Sequence, residues 1–359
     1  MSERVDISVV MSTYNGAAVL PEALDSIVNQ AGHDLSYEVI VVDNNSNDET
    51  RAVIESYAAR HPQLRYVFEP RQGVSYGRNA GIAQARGPIL AFFDDDVFVS
   101  PDWLTTIKAT MDEHPEAGFI GGKVLPEWQA PRPDWLTEAH WSPLAIVDYG
   151  PEPLYVNAER QICVVSANLA VRRSLFDEVG LFSPDLQRVK NSIGSMEDHE
   201  LLTRFWRAGR QGLYVPRLVV RTRVPPARLT KKYHRRWHHG HGMFCAMMRF
   251  VEHTDQDGRY SGGSSPKDAV TLFGAPAFLY RQIADEGRSW MLSTLRRRSD
   301  LSLMYENNMR FLVSYIHTRY RDEMARRPRS AIVEVGGFAN KLLRKKARAM
   351  VAAVQRRFA

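Results

Sequence analysis

Three consecutive aspartates, Asp94, Asp95 and Asp96, follow the apolar run Ile89–Phe93. Neighbouring carboxylates repel one another unless a cation compensates. Hard oxygen ligands of this kind suit Mg²⁺ or Mn²⁺, which can hold phosphate oxygens at the same time. In an extended chain Asp94 and Asp96 point to the same side, so both could bind one ion. A solvated turn, or the cap of a helix that begins near Pro101, is the alternative to a metal site.

Three more polar clusters follow apolar runs. They are Ser12-Thr13-Tyr14-Asn15 after Ile7–Met11, Asp43-Asn44-Asn45 at the end of Glu38–Asp43, and Arg71-Gln72-Gly73 after Leu64–Glu69. Tyr14 could stack on a nucleotide base and Asp43 could accept from a base or ribose, but a helix-entry turn explains Asn15 equally well. Gly73 permits close approach of backbone to phosphate, which Arg78 could neutralise, although a surface arginine is more often only solvated.

Helical patterns separate the apolar runs. They extend over Leu20–Val28, over a segment with Val53, Ile54 and Tyr57, and from Gly73 through Ala80 and Ala85. Ser46 and Glu49 predict a capping box for the second of these helices. Continuous apolar strands between helices indicate a parallel sheet covered on both faces. Because ligands bind beyond the carboxyl ends of such strands, we expect the four polar clusters to converge on one edge.

The pattern becomes irregular after Pro126. Three tryptophans lie among the prolines that follow: Trp128, Trp135 and Trp141. A sugar-stacking platform and local burial are equally good interpretations of these rings. Strand character returns over Val164–Arg173, and Glu197–Ala208 is typical of a helix whose acidic first turn is favoured by the helix dipole.

The C-terminal part of the chain is basic, within a formal net charge of +6. A basic surface can meet nucleic acid, anionic lipid or phosphorylated substrates, and charge alone does not choose among them. Ser261–Ser265 indicates a hinge or surface loop. The helices after it end in the amphipathic stretch Phe338–Phe358, which either lies on an anionic membrane or is a packed or solvated helix. The histidines of the segment His234–His241 favour a basic helix that faces acceptor or phosphate over a zinc site, because no cysteine or acid accompanies them.

The two cysteines, Cys163 and Cys245, show no metal-ligand spacing, which favours a reducing, cytoplasmic setting. The N-terminal apolar run is too brief for a signal peptide. No apolar stretch reaches the length needed to cross a bilayer.

Five segments, in order across roughly residues 5–215, together resemble the family 2 inverting glycosyltransferases of the GT-A fold. They are VVMSTYNGAAVLPEALDSI, EVIVVDNNSNDET, RQGVSYGRNAGIAQARGPILAFFDDDV, SANLAVRRSLFDEVGLF and SMEDHELLTRFWRAG. The resemblance implies an α/β protein with a Rossmann-like GT-A domain, in which helices flank a mostly parallel sheet. The pattern after Ser265 adds a mainly helical C-terminal extension. We therefore expect a catalytic domain over residues 1–225, with a nucleotide-binding half (1–125) and an acceptor half that holds the catalytic base (126–225), then a basic helical region (226–359).

The resemblance also implies residue roles. Asp94 and Asp96 occupy the outer positions of the family's DxD motif, which binds the diphosphate through Mn²⁺ or Mg²⁺. Asp198 matches the catalytic base, and Glu197 is the alternative base. The residues expected to bind nucleotide or substrate are Thr13, Tyr14, Asn15, Asp43, Asn45, Gly73, Arg78, Asp95 and Asn168. In this set Asp43 would contact the base and Arg78 would lie near ribose or diphosphate. Asn168 would stand beside donor sugar and acceptor.

Two features depart from the family's pattern. Many relatives carry a histidine that completes the metal site in the segment matching VRTRVPPARLT, and here Thr222 stands at that place between Arg221 and Arg223. A nearby arginine or another histidine would then assist. The QxxRW motif of processive polysaccharide synthases is incomplete, because Arg236-Trp237 lacks the matching glutamine.

The sequence thus predicts a glycosyltransferase that moves a sugar from a nucleoside-diphosphate sugar (UDP, dTDP or GDP type) to an acceptor hydroxyl with inversion. An inverting transfer needs a base for the acceptor proton and a Lewis acid for the leaving diphosphate. The acceptor could be a sugar, a lipid-linked sugar or another hydroxyl compound, and no nucleic-acid partner is expected. Two alternatives are a nucleotide-sugar-binding protein without catalysis and a nucleotidyltransferase, although STYNGAAVL lacks the lysine expected of the latter.

Overall fold

The first four apolar runs form parallel strands, in the order β3-β2-β1-β4. Their bounds in the computed structural model are β1 (Ile7–Thr13), β2 (Tyr37–Asp43), β3 (Leu64–Phe68) and β4 (Ile89–Phe92). The structure describes residues 4–32, 35–187, 193, 196–254, 260–264 and 270–326. The chain divides into two compact units, Met1–Tyr233 and His234–Ala359.

Helices follow the first three strands: α1 (Leu20–Val28), α2 (Thr50–Ala58) and α3 (Val74–Gln84). Successive residues of a strand point to opposite faces, so each strand supplies two cores. Val9 and Val39 pack on the side of α1 and α2, whereas Val10 and Ile40 pack on the side of α3. The predicted α/β class, with helices on both faces of the sheet, is confirmed.

The predicted capping box at α2 is wrong. The helix begins at Thr50, whose backbone N donates to Asp48 Oδ1 at 3.0 Å. The N-cap position is Glu49, and the Ser46 hydroxyl accepts from the backbone N of Asn15 at 2.9 Å instead of from the helix. A side chain that looked like a local helix signal therefore joins two different loops.

The second half of the first unit completes a mixed sheet. Its strands are β5 (Val97–Val99), β6 (Ala117–Trp128), β7 (Leu154–Val156), β8 (Leu169–Arg172) and β9 (Gln211–Val224), and its helices are α4 (Trp103–Glu113), α5 (Arg173–Val179) and α6 (Glu197–Arg207). The order continues β4-β8-β6-β9-β5, with β7 also on β9. Strand β8 runs antiparallel to both β4 and β6, and β6 runs parallel to β9.

The strand predicted over Val164–Arg173 is shorter than expected. Only Leu169–Arg172 is extended, and Ser166–Asn168 form a short 3-10 turn. The polar residues explain the change. Asn168 donates to the carbonyls of Lys123 and Leu218, and these contacts replace a strand ladder at this point.

The second unit is mainly helical in its described residues, as predicted. Its elements, beginning with a helix that spans the division, are α7 (Lys231–Met248), β10 (Phe250–Thr254), β11 (Tyr260–Ser264), β12 (Thr271–Leu272), β13 (Ala275–Pro276), α8 (Ala277–Leu295) and α9 (Ser299–Arg326). Ser261–Ser264 lie in β11, antiparallel to β10, so the predicted hinge or loop is a strand there; backbone hydrogen bonds alone are enough to pair it. The amphipathic stretch Phe338–Phe358 lies outside the described residues. Within the described part of the chain, no helix is long and apolar enough to cross a membrane.

A bulge between Gly122 and Lys123 depends on glycine. The register with β9 jumps from Val215 to Val219 at this point, and a Cβ on Gly122 would lie 1.8 Å from the carbonyl oxygen of Leu218. We expect Gly122→Ala to lower the free energy of unfolding by about 1–3 kcal/mol, measured by urea denaturation. In Gly287→Ala, the matched control on α8, the nearest atom is 3.6 Å away, and helix propensity should raise stability by about 0.5–1 kcal/mol. A neutral Gly122→Ala would contradict this account of the bulge.

Candidate active site

The three aspartates after β4 each contact a different element. Asp94 Oδ1 accepts from Arg78 Nη2 at 3.0 Å. Asp95 Oδ2 accepts from the Thr13 hydroxyl at 2.5 Å. Asp96 Oδ2 accepts from an arginine Nη2 at 3.1 Å. The triplet therefore links β4 to α3, to the end of β1 and to the segment after β9.

Arg78 connects the acidic triplet to the start of α6. This arginine is 5% exposed, and besides Asp94 its guanidinium contacts Glu197 Oε1 at 3.0 Å and Asp198 Oδ1 at 3.4 Å. The ring of Phe182 covers the guanidinium, and Arg78 Cζ lies 5.4 Å from the ring centroid. The three carboxylates raise the pKa of Arg78 above its ordinary value despite burial. One cation is thus shared among three acids.

Asp198 is held as a hydrogen-bond acceptor at the mouth of this cluster. The backbone N of Ser166 donates to Oδ2 at 3.1 Å, and the Asp198 side chain is 20% exposed. Burial, followed by the nearby charge of Glu197, raises the pKa of Asp198 to about 6, against the opposing effect of Arg78. Glu197 is only 4% exposed, so of the two acids Asp198 is the more accessible.

The arginine on Asp96 is Arg228, in a short 3-10 helix after β9. The sequence predicts an assisting arginine near Thr222 but does not single out Arg228. Thr222 itself is buried and pairs with Val97 in the β5–β9 ladder. The backbone N of Arg223 donates to the Asp96 carbonyl at 2.9 Å. The segment VRTRVPPARLT was the available signal, but it holds three arginines, and their spacing alone does not tell which one reaches the triplet.

The loops after β1 and β2 hold one another. Asn15 Oδ1 accepts from the backbone N of Asn47 at 2.9 Å, and the backbone N of Gly16 donates to the Thr50 hydroxyl at 2.9 Å. Asn15 has φ 51°, a left-handed conformation that asparagine tolerates better than most residues. Beside this joint Tyr14 is 36% exposed.

The end of β2 holds the next predicted residues. Asp43 is buried, with Oδ1 accepting from the backbone N of Ser46 at 2.9 Å and Oδ2 from the Tyr66 hydroxyl at 3.3 Å. Asn45 also has a left-handed φ, 62°. Gly73 starts α3 with φ 140°, and its backbone N donates to Asn44 Oδ1 at 2.7 Å. These ends of neighbouring strands lie at the same edge as the acidic triplet.

Asn168 is set deeper than the other predicted site residues. It is 1% exposed, and its Oδ1 accepts from Trp103 Nε1 at 2.8 Å. Both its amide oxygen and its amide nitrogen thus bind protein groups. In this structure Asn168 supports the 3-10 turn that carries Ser166 and hence the contact to Asp198.

The loop tryptophans pack locally. Trp128, Trp135 and Trp141 lie against a small cluster of buried side chains that includes Leu144 and Val224. All three rings are thus partly buried by local packing.

The acidic residues fit a divalent cation that shares its ligands with a diphosphate. The side chains of Asp94 and Asp96 are 39% and 23% exposed, and both follow one strand. In the described part of the chain, no group of three or more His, Cys, Asp or Glu side chains could enclose a metal ion. Mg²⁺ is commonly bound by one or two carboxylates together with substrate phosphates, so two aspartates suffice for such a site.

The fold and this edge define a class of protein: an α/β domain with an acidic, arginine-bridged site at the carboxyl ends of its parallel strands. Residues 8–180 match the model of the family described as Glycosyl transferase family 2. Over these residues the chain is similar to the members of this family.

Relatives and solved structures agree with this assignment. The glucosyl-dolichyl phosphate glucuronosyltransferase of Haloferax volcanii is 28% identical over 51% of this chain and 57% of its own length. Validoxylamine A glucosyltransferase of Streptomyces hygroscopicus is 38% identical over 29% of this chain and 25% of its own. The chain thus spans about half, or less, of the curated relatives it matches. A mannosyltransferase from Pyrobaculum calidifontis, solved with GDP-Man and Mn²⁺, superposes with a TM-score of 0.55 at 19% identity over 89% of this chain and 88% of its own; it supports the GT-A fold.

Proposed function

We propose that the protein transfers a sugar from a nucleoside-diphosphate sugar to an acceptor hydroxyl, with inversion at the anomeric carbon. The observation that carries the proposal is the bridge made by Arg78. It joins Asp94 of the acidic triplet to Asp198, an accessible carboxylate with a raised pKa. A diphosphate site and a candidate base are thus connected through one guanidinium.

In this proposal Asp198 takes the acceptor proton. The hydrogen bond from Ser166 fixes the carboxylate, and a pKa of about 6 leaves it mostly ionised at neutral pH yet more basic than an ordinary aspartate. As the acceptor oxygen attacks the anomeric carbon, its proton moves to Asp198 and the bond to the diphosphate breaks. Glu197 is more deeply buried, which favours a role in holding Arg78 over the role of base.

Asp94 and Asp96 would hold Mn²⁺ or Mg²⁺, with Arg78 and Arg228 beside them. A divalent ion at this place supplies positive charge that stabilises the departing diphosphate. Arg78 and Arg228 add fixed cations to the same region, and Arg228 takes the place of the family's missing histidine. Asp95 would neighbour the donor sugar or ribose.

Thr13, Tyr14 and Asp43 would line the nucleotide pocket, supported by the interlocked loops. Asn15, Asn45 and Gly73 set the backbone of these loops, and the donor is a UDP, dTDP or GDP sugar. We assign Asn168 a positioning role behind the donor sugar. The catalytic domain is proposed to span residues 1–225, with residues 226–359 as a helical region.

Two classes of acceptor are proposed from the names of the relatives. One relative is named for a dolichyl phosphate-linked sugar and another for the small molecule validoxylamine A. Either a lipid-linked sugar or a small hydroxyl compound is compatible with the site. We propose a cytoplasmic enzyme whose basic C-terminal stretch contacts the inner face of the membrane.

Nucleoside-diphosphate release tests the reaction. We expect metal-dependent release from one donor in a panel of nucleotide sugars, with Mn²⁺, Mg²⁺ or a chelator present. Asp96→Asn should weaken donor binding in the presence of metal by roughly 10–100-fold, while binding under chelator changes little. Asp112→Asn, which changes an exposed aspartate on α4, is the matched control.

The alternatives give different outcomes. A binding protein without catalysis would hold the donor but release no diphosphate with any acceptor. A nucleotidyltransferase would release pyrophosphate from a nucleoside triphosphate. Equal donor binding in Asp96→Asn with and without metal would contradict the proposed metal site.

A further inference from the structure

An exposed apolar stripe ends helix α8, opposite the side that packs inward. The inward side is marked by Leu279, Glu286 and Ser293, buried at intervals of seven residues. Three residues of the stripe, Met291, Leu292 and Leu295, are 51%, 43% and 74% exposed and share one face of the helix. Trp290 is 40% exposed but lies on the inward side of the helix, four residues after Glu286 and three before Ser293. Isolated exposed apolar side chains are normal, but a contiguous group marks an interaction surface.

Arginines frame this stripe. Arg288 lies one turn before Leu292, and Arg296, Arg297 and Arg298 follow Leu295 without an intervening acid. All four are exposed. Arg288 and Arg298 have only loose contacts to aspartates, at 3.7 and 3.4 Å, and Arg296 and Arg297 form no ion pair with another described residue. We call the exposed side chains of Arg288–Arg298 the α8 patch.

We propose that the α8 patch docks on the surface of an anionic phospholipid bilayer. Met291, Leu292 and Leu295 would enter the boundary between headgroups and acyl chains, as the apolar face of an interfacial helix does. The arginines would lie against lipid phosphates, to which basic residues near a membrane surface are attracted. This docking does not rest on the proposed sugar transfer, and it involves a different segment from the C-terminal stretch.

Charge and polarity favour a bilayer over other occupants. A second copy of the chain, paired through the same patch about a two-fold axis, would bring two sets of four arginines together. A nucleic acid would match the arginines but would leave Leu292 and Leu295 in contact with phosphate and water. Only a surface that is anionic outside and apolar just beneath matches both halves of the patch.

Vesicle co-sedimentation of the full chain tests the proposal. We expect binding to phosphatidylcholine vesicles that contain about a third phosphatidylglycerol, and at least tenfold weaker binding to phosphatidylcholine alone. Since each surface arginine contributes a factor of roughly five, Arg296→Gln/Arg297→Gln should reduce binding about 25-fold. Leu295→Gln should reduce it by roughly 3–10-fold, and this loss should persist at high salt, which screens only the charges.

Two variants with the same change in net charge are the controls. Arg51→Gln/Arg60→Gln alters two exposed arginines, one on α2 and one just after it, and should leave vesicle binding within about twofold of the unaltered chain. Lys345→Gln/Lys346→Gln alters the C-terminal stretch and measures how much that segment contributes to vesicle binding. The proposal is overturned if Arg296→Gln/Arg297→Gln binds like the unaltered chain, or if Arg51→Gln/Arg60→Gln loses as much. It is also overturned if light scattering without vesicles shows that Leu295→Gln converts a dimer to a monomer.

Discussion

We expect Asp198→Asn to lower kcat by roughly 10²–10⁴-fold, the usual contribution of a positioned general base. Asparagine keeps the size of the side chain and an oxygen for the Ser166 hydrogen bond, but it cannot accept the acceptor's proton. Donor binding should change little, because the proposed diphosphate site is on the other side of Arg78. Steady-state release of nucleoside diphosphate measures kcat, and calorimetric titration measures donor affinity.

Glu197→Gln distinguishes the two acids at the start of α6. Glu197 is the more buried of the pair, so this variant should lose stability more than kcat. If Glu197→Gln lost the greater part of kcat while Asp198→Asn kept it, Glu197 would be the base.

The pKa of Asp198 sets the expected pH profile of the unaltered chain. A base works only when ionised, and its pKa is raised to about 6. The value of kcat/KM, which reports the free enzyme, should therefore rise with pH and level off above about 6. The residual kcat/KM of Asp198→Asn should not show this rise with pH.

The same raised pKa predicts that Asp198→Asn stabilises the fold. Since the pKa rises from 3.8 to about 6 on folding, the folded state binds more protons between these values. The stability that this group contributes is complete below pH 4 and is lost as pH rises through 6. The free energy of unfolding of Asp198→Asn should exceed that of the unaltered chain by about 1–3 kcal/mol at pH 8. The difference should be smaller near pH 4. A difference that does not change with pH would contradict this electrostatic origin.

The arrangement of strands could be predicted, whereas the contacts that join them could not. Alternation of apolar runs and helices places Asp43 and Asp94 at one edge of a parallel sheet before any coordinates are known. The bridge from Arg78 to Glu197 joins residues 119 positions apart, and Arg228 lies 132 positions from Asp96. No local propensity encodes such pairs, because they depend on how α6 and the segment after β9 return to the sheet.

Two predictions from local sequence, a helix cap and a strand, were wrong for the same reason. Ser46 has the type and spacing of a helix cap, yet its hydroxyl binds the loop that follows β1. The run from Val164 reads as one strand, yet Asn168 is drawn into contacts with Lys123 and Leu218. Tertiary hydrogen bonds outweigh local preference at both places, and both lie close to the proposed site.

Arg78→Met should cost about 3–5 kcal/mol of unfolding free energy, because it leaves buried carboxylates without their cation. The side chains of Arg78 and Glu197 are both only 6% exposed. The unfolding free energy of Arg78→Lys should lie between those of Arg78→Met and the unaltered chain. A single ammonium cannot reproduce the contacts of a planar guanidinium with three acids. Urea denaturation at pH 8, where the acids are ionised, measures the loss.

The cause of this loss can be separated from simple side-chain truncation. Adding Glu197→Gln to Arg78→Met removes one of the stranded charges, so the double variant should recover part of the stability, in a double-mutant cycle with a coupling of about 0.5–3 kcal/mol. Arg51→Met, which breaks an exposed pair with Glu55, should cost less than about 1 kcal/mol. A strictly additive double variant would show that Arg78 stabilises the fold by packing on Phe182 rather than by neutralising acids. In that case the shared cation would no longer connect the proposed base to the diphosphate site.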